Sequence, residues 1–178
     1  MIFAVVVVYT MIYMNNYYAS NFYGESPTTS QAIITKVKFV RMLDVNKNDL
    51  FDAVADVEKY PQILPNNYLS VKIVNRTNNT ILSEEKVTEH GVVLPVLVKH
   101  TLVPYGRHTM EILRGDTGGT LITATFDGNS STTVLTINVE THIKGLLAPF
   151  AIVTQDNVEH LMDPIINSFV EYAKTKNG

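Results

Sequence analysis

The side chains with the broadest chemical capacity in this sequence are its five histidines: His90, His100, His108, His142 and His160. A helical metal site needs two ligands one turn apart, and the spacings include neither an i, i+4 pair nor an HExxH motif. His100 and His108 flank a predicted turn, so they can meet across a hairpin, but no third ligand is visible nearby. We therefore expect each histidine at the surface or at a cavity rim, and we predict no metal and no cofactor.

Three glutamates lie on one polar segment that is predicted to be a strand: Glu84, Glu85 and Glu89. Two carboxylates that face one cavity could act as an acid and a base. Because Glu84 and Glu85 are adjacent, a strand directs them to opposite faces, and we interpret the segment as a solvated strand. Arg107 or Arg114 could bind a ligand carbonyl or an acidic head group, although surface salt bridges are the simpler interpretation. We assign no catalytic residue from the sequence.

The composition excludes several classes of function. The chain has 178 residues, enough for one domain plus an N-terminal appendage. It has no cysteine, which excludes disulfides, thiolate metal sites and thiol catalysis. The net charge is −3 and no dense basic patch is present, so we predict no nucleic-acid partner.

Residues 1–23 are predicted to anchor the chain to a membrane. Residues 2–14 are apolar except for Thr10, and as a helix they would span about 20 Å of a hydrocarbon core that is about 30 Å thick. Residues 15–23 are aromatic and polar, as is typical of a membrane interface, and complete a marginal span. A polar linker at 24–31 then leads to the globular domain.

The nearest charges after this segment are Lys36, Lys38 and Arg41, which favour a cytoplasmic domain. Two alternatives remain open. A cleaved secretory signal would normally have basic residues before the apolar run, and none is present. Translation could instead start at Met11 or Met14, in which case the protein is cytoplasmic.

Residues 32–176 form the predicted domain, of the α+β class. Apolar and polar residues alternate in seven segments between turn signals, which predicts strands at 33–43, 69–73, 80–89, 92–102, 107–113, 120–126 and 131–143. Asn46 is a predicted N-cap for the first of two short helices after the first strand, the second of which carries Ile63 and Leu64. Residues 127–129 are a hairpin signal, and residues 147–173 carry an apolar stripe at helical spacing. Short turns predict antiparallel neighbours, so we expect a curved sheet wrapped around one long helix.

Residues 56–65, DVEKYPQILP, are the most specific motif in the chain. Together with the order of elements they resemble the helix-grip START and birch-pollen-allergen (SRPBCC) superfamily, and most closely its coenzyme-Q-binding, polyketide-cyclase-like branch. Members of that branch typically show Asp-Val-x-x-Tyr-Pro-x-Phe-Leu-Pro. Here Ile63 replaces the phenylalanine, and the aromatic or cysteine residues that often follow are replaced by Asn66, Asn67 and Tyr68. The resemblance covers residues 33–174.

This resemblance implies a hydrophobic cavity between the sheet and the C-terminal helix, for an isoprenoid quinone, another lipid or a polyketide. By the family's geometry its lining is predicted to comprise Val96, Val98, Met110, Ile112, Ile122, Ala124, Leu135 and Ile137 from the sheet, and Phe150, Ala151, Thr154, Val158 and Met162 from the helix. The sheet residues depend on register, since a shift of one residue would exchange the two faces.

Three functions remain open at this point. The first is carriage of a quinone or other lipid, with the membrane as a second partner through the N-terminus. The second is an enzyme, a polyketide cyclase or aromatase. The third is a regulatory module that binds the ribosome or another protein, as the resemblance also allows.

Overall fold

The computed structural model describes residues 32–89, 92–144 and 154–176. Its helices are α1 (Lys47–Ala55), α2 (Tyr60–Ile63) and α3 (Gln155–Thr175), and a 3₁₀ turn at Val57–Lys59 precedes α2. Its strands are β1 (Ile33–Leu43), β2 (Tyr68–Arg76), β3 (Thr80–Glu89), β4 (Val92–Val103), β5 (Arg107–Ile112), β6 (Leu121–Gly128) and β7 (Thr133–Ile143). The predicted helix-grip architecture of the α+β class is confirmed.

The seven strands form one antiparallel sheet in the order β1-β7-β6-β5-β4-β3-β2. Strands β2 to β7 follow chain order in the sheet because short connections join them. Strand β1 pairs with β7 and forms the opposite edge from β2. The turn between β6 and β7 requires glycine, because Gly128 has a φ of +127° and a side chain there would collide with the carbonyl oxygen of Thr132. The hairpin predicted at this point is confirmed.

One face of the sheet is buried and the other is largely exposed, as the alternation predicts. In β7, Leu135 and Ile137 are buried while Asn138 is exposed. The register carries this face across the sheet, since Ile137 lies opposite both Ala124 and Phe39. Pro95 pairs with Lys86 of β3, but it lies beyond the last residue of β4 that pairs with β5. One side of β4 is therefore an edge at Pro95, as expected for a residue that has no N–H to donate.

Helix α1 begins where the sequence predicts. The side chain of Asn46 accepts hydrogen bonds from the backbone N–H groups of Asn48, at 2.8 Å, and Asp49, at 3.4 Å. These bonds satisfy two donors that have no partner within the helix. The apolar side of α1, including Leu50 and Phe51, is buried in the core.

Helix α3 covers the inner face of the sheet with an apolar stripe that comprises Val158, Met162, Ile165, Ile166, Phe169, Val170 and Ala173. Of the predicted helix at 147–173, residues 147–153 lie outside the described residues. Arg41 on β1 ties the first half of α3 to the sheet. Its guanidinium donates to Asp163 Oδ1 and Glu159 Oε2, both at 2.8 Å, and these hydrogen bonds raise the pKa of Arg41.

The predicted anchor at 1–23 and linker at 24–31 lie outside the described residues, so both stay predictions. Among the residues that the structure describes, no helix has the length and apolarity needed to cross a membrane.

Candidate functional site: a buried Glu–His cluster

Four polar side chains lie on the buried face of β3, β4 and β5, where the alternation otherwise places apolar residues. They are Ser83, Glu85, His100 and His108, and each is at most 1% exposed. We call these four residues the Glu–His cluster. Their neighbours on the same face are apolar, so the cluster is a polar island inside the hydrophobic core.

The cluster is linked by a continuous series of hydrogen bonds. Ser83 donates its hydroxyl to Glu85 Oε1. His100 Nε2 lies 2.8 Å from the same carboxylate oxygen and 3.0 Å from Ser83 Oγ. At the other side of the ring, His100 Nδ1 lies 3.0 Å from His108 Nε2. His100 therefore connects a carboxylate to a second imidazole.

Two atoms at the ends of this series have no hydrogen-bond partner among the described residues. They are Glu85 Oε2 and His108 Nδ1, and both are completely buried. A buried polar atom without a partner costs about 1–3 kcal/mol. Such atoms are exceptional in native proteins and call for a ligand, a water molecule or a functional role.

His108 is held neutral by its surroundings. Burial, and then the charge of His100, lower the pKa of His108 well below its ordinary value. A neutral imidazole carries one proton, so His108 Nδ1 can be a donor or an acceptor. It is a donor when His100 Nδ1–H donates to His108 Nε2, and an acceptor when His108 Nε2–H donates to His100. The unpartnered nitrogen can thus adapt to either kind of ligand atom.

Tyr60, from the motif at 56–65, packs beside the cluster. Its hydroxyl donates to the carbonyl oxygen of Val54 at 2.7 Å, and its ring centroid lies 6.3 Å from that of His100. Burial, and then the negative charge of Glu85, raise the pKa of Tyr60 well above its ordinary value, so it remains a neutral donor. The motif tyrosine therefore fastens α1 beside the cluster and has no proton free for a ligand.

The predicted lining residues mostly lie on the inner face. Nine are at most 3% exposed and belong to one core cluster: Val98, Met110, Ile112, Ile122, Ala124, Leu135, Ile137, Val158 and Met162. In this structure the predicted lining residues of the sheet and of α3 therefore belong to the same hydrophobic core. Val96 is half-buried, and Thr154 is exposed, where its side chain caps α3 by accepting from the N–H of Asn157 at 3.3 Å. Phe150 and Ala151 lie outside the described residues.

Two cavities of about 280 and 530 Å³ are associated mainly with the outer face of the sheet. The first lies over β1, β6 and β7, with Lys36 and Glu140 in its lining. The second lies over β2–β4 and is bordered by Lys72, Lys86 and Arg114. Apart from Val96, which borders the second, none of the predicted lining residues that the structure describes borders either cavity.

The structure corrects two interpretations made from the sequence. His100 and His108 are not surface or rim residues, although their predicted meeting across the hairpin is confirmed. Glu85 is not solvated, although it does face the opposite way from the exposed Glu84. The alternation along β3 could have shown this, because Glu85 lies an even number of residues from Ile81 and Val87 and so shares their buried face.

The cluster is not arranged as a metal centre. Its hydrogen bonds run in series from Glu85 through His100 to His108, whereas a metal site needs ligand atoms that converge on one point. Across residues 32–89, 92–144 and 154–176, no group of three His, Asp or Glu side chains could hold a metal ion. The arrangement can instead accept, donate and relay protons.

Solved structures with the same fold come from several kinds of protein. The Zhui aromatase/cyclase from Streptomyces sp. R1128 is similar with a TM-score of 0.65 at 13% identity, over 82% of this chain and 97% of that one. A START superfamily protein from Mycobacterium smegmatis has a TM-score of 0.63 at 12% identity, over 79% and 97%. Ara h 8.0201 has a TM-score of 0.61 at 16% identity, over 80% and 99%. These identities establish the fold alone.

A comparison with curated proteins found no significant match. The family described as "Polyketide cyclase / dehydrase and lipid transport" matches residues 43–168, from the end of β1 into the second half of α3. That match spans more than half of the sequence and includes the motif at 56–65, all four residues of the Glu–His cluster and most of the inner face. The chain therefore belongs to the polyketide cyclase/dehydrase and lipid transport family, within the START-like superfamily that its sequence resembles.

Proposed function

We propose that this protein binds a hydrophobic small molecule between the inner face of the sheet and α3, with the polar group of the ligand at the Glu–His cluster. An isoprenoid quinone or another lipid has the required form, because it joins a carbonyl or hydroxyl group to a long apolar part. Such a ligand would be carried rather than converted.

The observation that carries this proposal is that Glu85 Oε2 and His108 Nδ1, within an apolar interior, have no hydrogen-bond partner in the part of the chain that the structure describes. A ligand hydroxyl can donate to the carboxylate, and a ligand carbonyl can accept from the imidazole. Either bond would recover part of the free energy that burial of these atoms costs. The family's description, which includes lipid transport, supports the same proposal.

A ligand that enters this core has to move α3 away from the sheet, since both contribute buried side chains to it. The first half of α3 is the favoured place, because Arg41 holds it through ion pairs to Glu159 and Asp163 that are 25–46% exposed. Partly exposed ion pairs contribute little to stability, so opening there costs less than disrupting the apolar core.

Catalysis is a second candidate, and a specific observation favours it. Glu85, His100 and His108 form a linked series of acid and base groups, which simple carriage does not require. One neighbour is named an aromatase/cyclase, and another is norcoclaurine synthase from Thalictrum flavum, with dopamine and hydroxybenzaldehyde bound. A polyketide cyclase or aromatase activity is therefore the alternative that we propose for this chain.

Attachment to a membrane through residues 1–23 remains part of the proposal, because quinones and lipids reside there. Deletion of residues 1–31 followed by fractionation of cell membranes tests it. The full chain is expected in the membrane fraction and the shortened chain in the supernatant. Equal distribution of the two proteins would contradict the anchor.

The carrier proposal is tested by extraction of the purified full-length protein with organic solvent, followed by mass spectrometry. We expect a quinone or another lipid at close to one molecule per chain. Replacement of Met162 by Lys, which places a charge on the buried stripe of α3, should abolish the co-purified ligand. Its matched control is Met42→Lys at an exposed position, which should retain it. A wild-type protein without any ligand would contradict carriage.

A further inference from the structure

The outer face of the sheet carries a cavity of about 530 Å³ that the proposed interior site does not use. Small-molecule sites usually have volumes of about 300–1,000 Å³, so this cavity is large enough for a ligand. Its lining comes from β2, β3, β4 and the chain just after β5, and comprises Ser70, Lys72, Glu84, Glu85, Lys86, Pro95, Val96, Leu97 and Arg114. Charged and apolar residues therefore border one recess.

Strand pairing brings the polar donors of this cavity together. Ser70 lies opposite Lys86 on β3, and Lys72 lies opposite Glu84 two positions further along. All four side chains are exposed. Directly opposed residues of an antiparallel pair have Cβ atoms about 4.5–5.5 Å apart, so one hydroxyl and two ammonium groups lie close to each other on the outer face.

Arg114 borders the cavity because β5 ends before β4 does. The last pair between the two strands is Val98 with Ile112. The N–H of Leu113 then donates to the carbonyl oxygen of Leu97 at 2.9 Å, which holds the following residue, Arg114, beside the lining of the cavity. The sequence left open whether Arg107 or Arg114 recognises an acidic group, and of these two only Arg114 borders one of the two cavities.

The cations at this cavity are poorly neutralised. Within the described part of the chain, the side chains of Lys86 and Arg114 form no ion pair and no hydrogen bond. Lys72 lies 3.7 Å from Glu84, but these side chains are 78% and 59% exposed, so the pair is weak. Glu85 directs its carboxylate into the Glu–His cluster on the buried face. Three cations therefore share one carboxylate here, and the excess positive charge favours an anion.

We propose that this cavity binds the phosphate group of an amphiphilic phosphomonoester, with the apolar part of the ligand against Pro95 and Leu97. Like a phosphorylated side chain, such a group carries about −1.5 to −2 charges at pH 7 and three strong acceptor oxygens, which matches the excess of cations. The planar guanidinium of Arg114 can donate two parallel hydrogen bonds to it, while Lys72 and Lys86 act as point charges. This site is separate from the interior and does not depend on the ligand proposed there.

The apolar part of the ligand is inferred from the remaining lining. Pro95 is exposed and Leu97 is half-buried, and the nearby Val93 and Leu113 are 48% and 38% exposed. Contact with a ligand would remove part of this apolar surface from water, which is favourable. The interior excludes the same ligand, because burial of a dianion among apolar side chains is very costly.

Equilibrium dialysis with 2-naphthyl phosphate, which joins a phosphate group to an apolar ring system, measures binding to the purified full chain. We expect saturation near one molecule per chain, and weaker binding as salt is added, because salt screens exposed charges. Inorganic phosphate is the comparison probe and should bind about tenfold more weakly or worse, since it lacks the apolar contacts. Equal affinity for the two probes would overturn the amphiphilic class of ligand.

Arg114→Gln and Lys86→Gln each remove one charge at an exposed position, so the fold is expected to persist. Each should raise the dissociation constant for 2-naphthyl phosphate by about tenfold or more. The matched controls are Arg107→Gln, at neither cavity, and Lys38→Gln, at the smaller one, and both should retain wild-type affinity. Unchanged binding in the first two variants, or an equal loss in the controls, would overturn the site.

Vesicles distinguish the two sources of such a phosphate group, a lipid head group and a soluble compound. The full chain with bound 2-naphthyl phosphate is mixed with vesicles of phosphatidylcholine, with or without phosphatidic acid. Displacement only by vesicles that contain phosphatidic acid assigns the site to a lipid head group. Retention in the presence of both kinds of vesicle assigns it to a soluble phosphomonoester. Equal displacement by both kinds would show no selection for a phosphomonoester and would overturn the proposal.

Discussion

His100 Nδ1 lies 3.0 Å from His108 Nε2, and the two imidazole rings stack at 29° with their centroids 5.2 Å apart. The pair is diagonal across β4 and β5, since His100 lies opposite Met110 and His108 opposite Leu102. Regular strand pairing therefore brings the rings together. The sheet register fixes this geometry without any contribution from loop conformation.

The first prediction is that the free energy of unfolding decreases as the pH is lowered through the range in which a histidine of the unfolded chain becomes protonated. His108 resists protonation when folded, while the unfolded chain takes up that proton near pH 6.5. The unfolded state thus binds more protons below about pH 6.5, so the free energy of unfolding decreases as pH falls towards the lower pKa of folded His108. One such proton contributes up to about 1.4 kcal/mol per pH unit.

Urea unfolding between pH 5 and pH 8 measures this dependence. In His108→Gln the slope between pH 5 and 6.5 should be shallower than in wild type, because the residue that resists protonation has been removed. His160→Gln, at an exposed position, should retain the wild-type slope. Identical slopes in wild type and His108→Gln would show that His108 is protonated as readily in the folded chain as in the unfolded chain.

The second prediction concerns the motif tyrosine. Tyr60→Phe removes the donor to the carbonyl oxygen of Val54 and should lower the free energy of unfolding by about 1–3 kcal/mol, because a buried acceptor loses its partner. Equilibrium unfolding in urea measures the change. Tyr105→Phe is the control, since Tyr105 is 44% exposed, and should change stability by less than about 0.5 kcal/mol. An unchanged free energy of unfolding in Tyr60→Phe would contradict the structural role assigned to this hydroxyl.

The third prediction is that Arg41 controls access to the interior more than it controls stability. Arg41→Gln should cost only about 1 kcal/mol or less, because its ion pairs are partly exposed. It should nevertheless increase hydrogen exchange in the first half of α3. It should also speed the association of 2-naphthol, a small apolar compound with one hydroxyl group that serves as the probe ligand. Lys99→Gln removes an ion pair to Glu111 on the sheet and serves as the control for charge. Unchanged exchange in α3 would contradict entry beneath the first half of that helix.

The sequence was sufficient for most of the fold because period-two alternation and turn residues act locally. Residues 131–143 alternate so clearly that both the strand and its buried face followed from them, and Asp127–Asn129 marked the preceding hairpin. The lining residues predicted on β4–β7 came from the family's geometry, and most of them lie on the inner face. Whether they line a ligand cavity stays a prediction.

The Glu–His cluster was not predicted because glutamate and histidine were assigned to the surface from their residue type, although their positions in the strands place them on the buried face. Glu85 has the parity of buried Ile81 and Val87, and His108 that of buried Met110 and Ile112. Residue type alone favours the surface for glutamate and histidine, since burial is costly without partners. Only the tertiary register shows that Ser83, Glu85 and His100 supply partners for one another, and that two of the cluster's atoms are left over.

The most direct test of the central proposal is whether a ligand enters between the sheet and α3. Met110 on β5 and Met162 on α3 are both 1% exposed, whereas Met42 is 78% exposed on the outer face. With ¹³C-labelled methionine methyl groups, bound 2-naphthol should give nuclear Overhauser effects to Met110 and Met162 and none to Met42. Effects confined to Met42, or binding that leaves Met110 and Met162 unperturbed, would place the ligand outside this interior and contradict the account.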